Sequence, residues 1–161
     1  MNARCILGID PGVTGGVAFY FPDQPTVIVA EDIPNVAGEV DADAFAARLK
    51  QMRPDFAVIE RAGAMPGQGV SSTFKFGAAY GALCGVVAAL GIPSHRVAPA
   101  VWKRHFKLDR DKEKSRALAV QLWPGAGCFS RKSDHGRAEA ALIARWGAAV
   151  AFQAEIGRAA A

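Results

Sequence analysis

At 161 residues, 51% hydrophobic and 21% charged, the chain is long enough to bury a core and too apolar to be disordered. We expect one domain over residues 1–161. Three scattered cysteines, Cys5, Cys84 and Cys128, exclude a disulfide scaffold and suit free thiols in a reducing, cytoplasmic setting. No Cys/His cluster offers a zinc site. Net charge is +4, but it is unevenly placed: residues 1–90 carry six Lys/Arg against nine Asp/Glu, and residues 91–161 carry thirteen against six. A basic second half points to an anionic partner, nucleic acid first among them, or to a solvated basic face.

The apolar run from Cys5 to Ile9 is too short for a secretion signal. Arg4–Asp10 reads as a first strand and Gly16–Phe21 as a second, joined by the glycine turn Pro11–Gly15. Pro22–Pro25 is a turn, Thr26–Ala30 a third strand, and 34–40 an irregular connection. Asp41 or Asp43 caps a helix to Met52, with Phe45, Leu49 and Met52 on one face and Pro54 beyond it. Phe56–Ile59 is a short buried strand ending at Glu60.

Arg61–Ser72 is a Gly/Ser-rich loop. A helix over Thr73–Leu90 follows, with Gly77, Gly81 and Gly85 on one face and Tyr80, Leu83, Val87 and Leu90 on another. The glycine stripe would let it approach its own sheet or a second copy of the chain. The uncharged stretch from Phe76 to Ile92 is 17 residues, short of a membrane span. Ser94–Ala98 reads as a fifth strand. Basic helices follow over Pro99–Phe106 and Asp111–Trp123, then a loop at 124–127, and a last helix from His135 to Trp146. A weak helix continues beyond Gly147. The order β-β-β-α-β-α-β-α-α-α predicts a mixed α/β sheet, an antiparallel meander followed by parallel strands, flanked by helices. That order matches the ribonuclease H-like architecture.

Asp10 reads either as a turn cap or as a site residue where a buried strand emerges. Glu60 ends another apolar strand, and parallel neighbours would bring the two carboxylates to one sheet edge, where α/β folds bind ligands. Two carboxylates there repel, and a divalent cation such as Mg²⁺ relieves them. On the last helix His135 lies four residues before Glu139, about 40° away around the axis. His135 alternatively contacts a phosphate or is a surface residue, and Asp134 alternatively caps the helix.

The segments Gly8–Gly16, Ile59-Glu60, Met65–Gly77, Val97–Lys103 and Gly136–Ala140 resemble those of the RuvC-type Holliday junction resolvases, particularly the compact phage and prophage branch. The resemblance spans about Ile6 to Trp146. It implies a homodimeric endonuclease that nicks branched DNA symmetrically with two Mg²⁺ or Mn²⁺ ions, and no nucleotide cofactor or membrane. Asp10 and Glu60 match the first two catalytic acids, and Glu139 the last, usually an aspartate. The remaining ligand normally lies three residues before that acid, where this chain has Gly136, so His135, with Asp134 as substitute, is expected to serve. The resemblance implies water attack in line with the departing 3′-oxygen, with Asp10 bridging the two ions. Phe74 is expected to stack at the branch point, with core packing as the plainer role for it and Phe76. Lys75, Lys103, Arg104, Lys107, Lys112 and Lys114 are candidates for DNA phosphates. Competing readings are a branched-DNA binding protein with little or no catalysis, and an actin-like kinase, which needs a second, similar domain.

Overall fold

Alternation along the strands sets the layers, because successive side chains point to opposite sheet faces. In β1 (Ile6–Asp10), Ile6 enters one core, while Leu7 and Ile9 enter the other. The same division holds in β2 (Gly16–Tyr20), with Ala18 and Tyr20 opposite Val17 and Phe19, and in β6 (Phe56–Glu60), with Phe56 and Val58 opposite Ala57 and Ile59. The computed structural model describes residues 4–61, 63 and 66–159; Ala62, Ala64 and Met65 of the Arg61–Ser72 loop and of the Met65–Gly77 segment lie outside the described residues.

With β3 (Ile28–Asp32) and β7 (Ser94–Val97), the main sheet runs in the order β3-β2-β1-β6-β7. The pairs β1/β2 and β2/β3 are antiparallel, whereas β1/β6 and β6/β7 are parallel. This is the predicted meander followed by parallel strands. The third strand begins two residues later than expected, since the turn closed by Val27 N–H to Gln24 O takes up Thr26 and Val27. The connection at 34–40 is not irregular. It forms a small hairpin, β4 (Asn35–Val36) with β5 (Glu39–Val40), around Ala37 and Gly38 at φ 53° and 82°. A two-residue turn of this hand needs positive φ at both positions and is usually marked by Asn-Gly or Asp-Gly; Ala-Gly carries no such signal.

On one face lie α1 (Ala42–Met52), capped by Asp41, whose side chain accepts from Ala44 N–H at 2.9 Å, and α2 (Val70–Ala89). Helix α2 starts three residues earlier than predicted, capped at Gly69, with the Thr73 hydroxyl donating to the Gly69 carbonyl. Ala79, Leu83 and Val87 bury its inner face. Gly77, Gly81 and Gly85 face outward, and a Cβ at any of them would meet nothing within 4 Å. The glycine stripe therefore does not serve approach to the chain's own sheet. No described helix is long and apolar enough to cross a membrane.

The other face carries α3 (Pro99–His105), α4 (Lys112–Leu122) and α5 (His135–Trp146), the last preceded by a 3-10 turn at Lys132–Asp134. A π-helical turn, Gly147–Ala151, leads to α6 (Phe152–Ala159). Helix α5 crosses the sheet at very short range: a Cβ at Gly8 would stand 2.1 Å from the Ala140 carbonyl oxygen and 2.6 Å from the Ala144 nitrogen. The Ala-rich face of α5 and a glycine in the central strand are thus one design, since any side chain at Gly8 would lift the helix off the sheet. At its start, the Arg137 guanidinium forks onto both oxygens of Asp32 at 2.7 Å, tying α5 to the end of β3.

Candidate active site

Strand parity and register bring the carboxylates together. Ile9 pairs with Ile59 in the parallel ladder, so Asp10 and Glu60 end adjacent strands at the same level. Both lie in step with the residues that face α3, α4 and α5, and α5 supplies Glu139 to the same place. Asp10, Glu60 and Glu139 line one cleft of about 1200 Å³. The turn Gly12–Gly15 forms one wall, closed by Gly15 N–H to Gly12 O at 3.0 Å. Lys75 and Phe76 of α2 form another, and Lys103, Arg104, Lys107, Arg110 and Lys112 line the basic side.

The three acids are not equivalent. Burial pushes the Asp10 carboxyl well above the usual carboxylate range, and the neighbouring charges of Glu60 and Glu139 push it further. Burial also raises Glu60, against a hydrogen bond from the Trp102 indole N–H to Oε2 at 2.6 Å. Glu139, 4% exposed, accepts from Lys103 Nζ at 2.9 Å and Ser115 Oγ at 3.1 Å, both on Oε1. The donor set is all carboxylate oxygen, the chemistry that hard cations such as Mg²⁺ and Mn²⁺ prefer. The raised Asp10 and the Lys103 ammonium seated on Glu139 both mark a place where positive charge is wanted. A cation fits these residues. Among the described residues, no three His, Cys, Asp or Glu side chains stand as a ready-made cage; Trp102 holds one oxygen of Glu60, and Lys103 one oxygen of Glu139.

The other sequence candidates are placed differently. Asp134 is buried at 2% exposure and does not line the cleft; it accepts from the Arg131 backbone N–H at 2.8 Å and from that residue's guanidinium at 2.8 and 3.0 Å, with Arg137 also near. Burial alone would raise its pKa, but the Arg131 bonds lower it. Asp134 acts here as the capping group of the turn that starts α5. His135 is half-buried outside the cleft lining, and its Nδ1 is buried without a hydrogen-bond partner. Lys114 also lies off the cleft, paired with Asp109, while Lys75, Lys103, Arg104, Lys107 and Lys112 line it. Phe74 is not core: its side chain is 76% exposed on the first turns of α2, and Phe76 faces the cleft.

The position of the usual fourth ligand in the resemblance, Gly136, has no room for a side chain. A Cβ there would lie 2.6 Å from the Thr14 carbonyl oxygen and 2.7 Å from the Gly15 carbonyl carbon. Sequence reasoning did not find Trp102, Ser115 or Arg110. The first two bond carboxylates 42 and 24 residues away, and nothing local encodes such partners.

No family model matches the sequence, and no curated protein matches it. Solved structures do. The RuvC of Thermus thermophilus in complex with a Holliday junction substrate aligns over 96% of both chains at TM-score 0.60 and 20% identity. The chain has the RuvC fold. A second Thermus thermophilus RuvC structure aligns over 92% of this chain and 97% of that one, at TM-score 0.57 and 16% identity. The yeast mitochondrial Holliday junction resolvase covers 91% and is itself covered over 80%, at TM-score 0.57 and 19% identity. At these identities the likeness is one of fold, so the functional argument rests on the cleft. Within the RuvC fold, the cleft sits at the carboxyl ends of β1 and β6, under the start of α5.

Proposed function

We propose that this protein is a metal-dependent endonuclease that resolves Holliday junctions or related branched DNA by hydrolysing phosphodiesters. The observation that carries this reading is the convergence of Asp10, Glu60 and Glu139 in one cleft with a cationic rim, inside a RuvC fold. Asp10, Glu60 and Glu139 would hold the cation. A bound pair of Mg²⁺ or Mn²⁺ ions would supply activation of water and stabilisation of the departing oxygen. Lys75, Arg104, Lys107, Arg110 and Lys112 bind phosphates along the rim, and Lys103 is freed for the same task once Glu139 has another counter-charge. The turn Gly12–Gly15 presents backbone rather than bulk to the approaching strand.

The test is cleavage of a synthetic four-way junction with Mg²⁺, with Mn²⁺ and with chelator. Symmetric nicks only in the presence of metal are expected. Branched-DNA binding without cutting has one observation in its favour, the occupation of Glu139 by the Lys103 ammonium. Tight junction binding with no cleavage under any metal would establish that reading instead.

Two nicks related by symmetry call for two active sites, and we assign a homodimer with the exposed, uncharged Gly77–Gly81–Gly85 face of α2 as its surface. Junction affinity should fall about a thousandfold between 50 and 200 mM salt if the six rim cations each meet a phosphate. A flat salt dependence, measured by fluorescence anisotropy, would remove the rim as a DNA surface. Phe74→Ala should leave the melting temperature unchanged, because the ring is exposed, yet weaken junction binding by about tenfold through lost base stacking of roughly 1–3 kcal/mol. A fluorescent base analogue at the branch point reports whether unstacking there depends on Phe74.

A further inference from the structure

Helices α3 and α4 reach the cleft with two side chains that the reaction itself does not call for. Trp102 is wholly buried, and its indole N–H, a donor with no acceptor function, is directed at Glu60 Oε2. Ser115 is also wholly buried and is directed at Glu139 Oε1, the oxygen that Lys103 also holds. In each case one carboxylate oxygen is tied to protein donors. Among the described residues, no side-chain hydrogen bond reaches the other oxygen of either acid. Phenylalanine or leucine would fill an ordinary core position of α3 as well as tryptophan, and a buried indole N–H is costly unless paired. Here it is paired with an acid lining the cleft. The Lys103 ammonium sits 5.2 Å from the centre of the same indole ring, so the two clamps touch.

We propose that Trp102 is a positioning residue for metal binding: by holding Glu60 Oε2, it fixes the rotamer that presents Oε1 to the cation, and Ser115 does the same for Glu139. This rests on the metal-dependent reading above. Outer-shell donors of this kind orient ligands before the metal arrives, and their loss costs metal affinity about 10–100-fold. The bond also favours the ionised carboxylate that a cation needs.

The experiment is calorimetric titration of Mn²⁺ into the DNA-free, full chain, with thermal melting and junction cleavage recorded on the same preparations. Trp102→Phe keeps most of the buried volume and removes the donor; Ser115→Ala does so for the second clamp. Each should bind Mn²⁺ about tenfold more weakly at unchanged stoichiometry, and cleavage should recover when Mn²⁺ is raised by the same factor. Should Trp102→Phe fail to fold, 3-benzothienylalanine placed at position 102, which exchanges the N–H for sulfur at nearly constant shape, is titrated in its place. A folded position-102 variant with wild-type Mn²⁺ affinity overturns the proposal while leaving the nuclease reading intact. Wild type that neither binds Mn²⁺ nor cuts withdraws the nuclease reading, and this one with it.

Discussion

Asp10→Asn should abolish junction cleavage, leave junction binding intact, and raise the melting temperature of the metal-free protein. The loss follows from removing a carboxylate of the proposed metal site: several kcal/mol of transition-state stabilisation would go with the metal, roughly a thousandfold in rate at 1.36 kcal/mol per decade. The gain in stability follows from the same geometry. Burial and the charges of Glu60 and Glu139 hold the folded Asp10 carboxyl well above its unfolded pKa. The folded state therefore binds that proton more tightly than the unfolded chain does. Its contribution is present in acid, below the ordinary carboxylate range, and is lost as pH rises through the raised folded value. The advantage of Asp10→Asn should accordingly be absent in acid and grow with pH. Mn²⁺ at about a hundred times its Kd should then stabilise wild type by about 2.7 kcal/mol, roughly 5–10 °C for a chain of this length, and stabilise Asp10→Asn far less. Melting curves with and without Mn²⁺ over a pH series check all three parts. A metal-free variant no more stable than wild type at neutral pH would refute the electrostatic account, and retained cleavage would refute the assignment of Asp10.

Gly136→Asp, which restores the acidic position that the resemblance would call for, should cost the fold instead of gaining a ligand. The new Cβ would fall 2.6 Å from Thr14 O, 2.7 Å from Gly15 C and 2.8 Å from Gly15 O, all backbone atoms with no rotamer to change. Retreat of α5 would lift Ala140 and Ala144 off Gly8 further along and give up that close packing. Overpacking typically costs about 1–3 kcal/mol, and a contact between two backbones belongs at the upper end of that range or beyond it. A carboxylate added there is desolvated as well. Gly136→Ala isolates the steric part and should lose nearly as much stability as Gly136→Asp. Denaturant melts of the two variants decide it; a Gly136→Asp protein as stable as wild type, with tighter Mn²⁺ binding, would show that α5 has more freedom than its packing indicates.

Much of the fold was legible because it depends on local alternation. The expected strands Arg4–Asp10, Gly16–Phe21 and Phe56–Ile59 lie within two residues of the observed ends, the Phe45/Leu49 stripe of α1 is as expected, and of the two caps that the sequence offers, Asp41 and Asp43, the structure uses Asp41. The hairpin at Asn35–Val40 was missed, since its turn places Ala37, not asparagine, in the left-handed region. The outward direction of the glycine face of α2 is not legible in the sequence, because a helix stripe does not say which neighbour it meets.

The candidate site divides along the same line. That Asp10 and Glu60 each end an apolar strand is determined by the sequence itself; that β1 and β6 are parallel neighbours in register, which puts the two acids on one sheet face, and that α5 brings Glu139 to them, is decided by the packing. Tertiary structure alone decided the rest. Asp134 and Glu139 look alike as acids five residues apart, yet Asp134 is bound by Arg131 while Glu139 reaches the cleft. His135 shares a helix face with Glu139 but remains outside the cleft lining. Trp102 and Ser115 meet their carboxylates only after α3 and α4 dock on the sheet. The reason is physical: strand and helix periods are set by neighbouring residues, whereas a side chain's partner is set by which elements pack together, and that is decided by the whole chain at once.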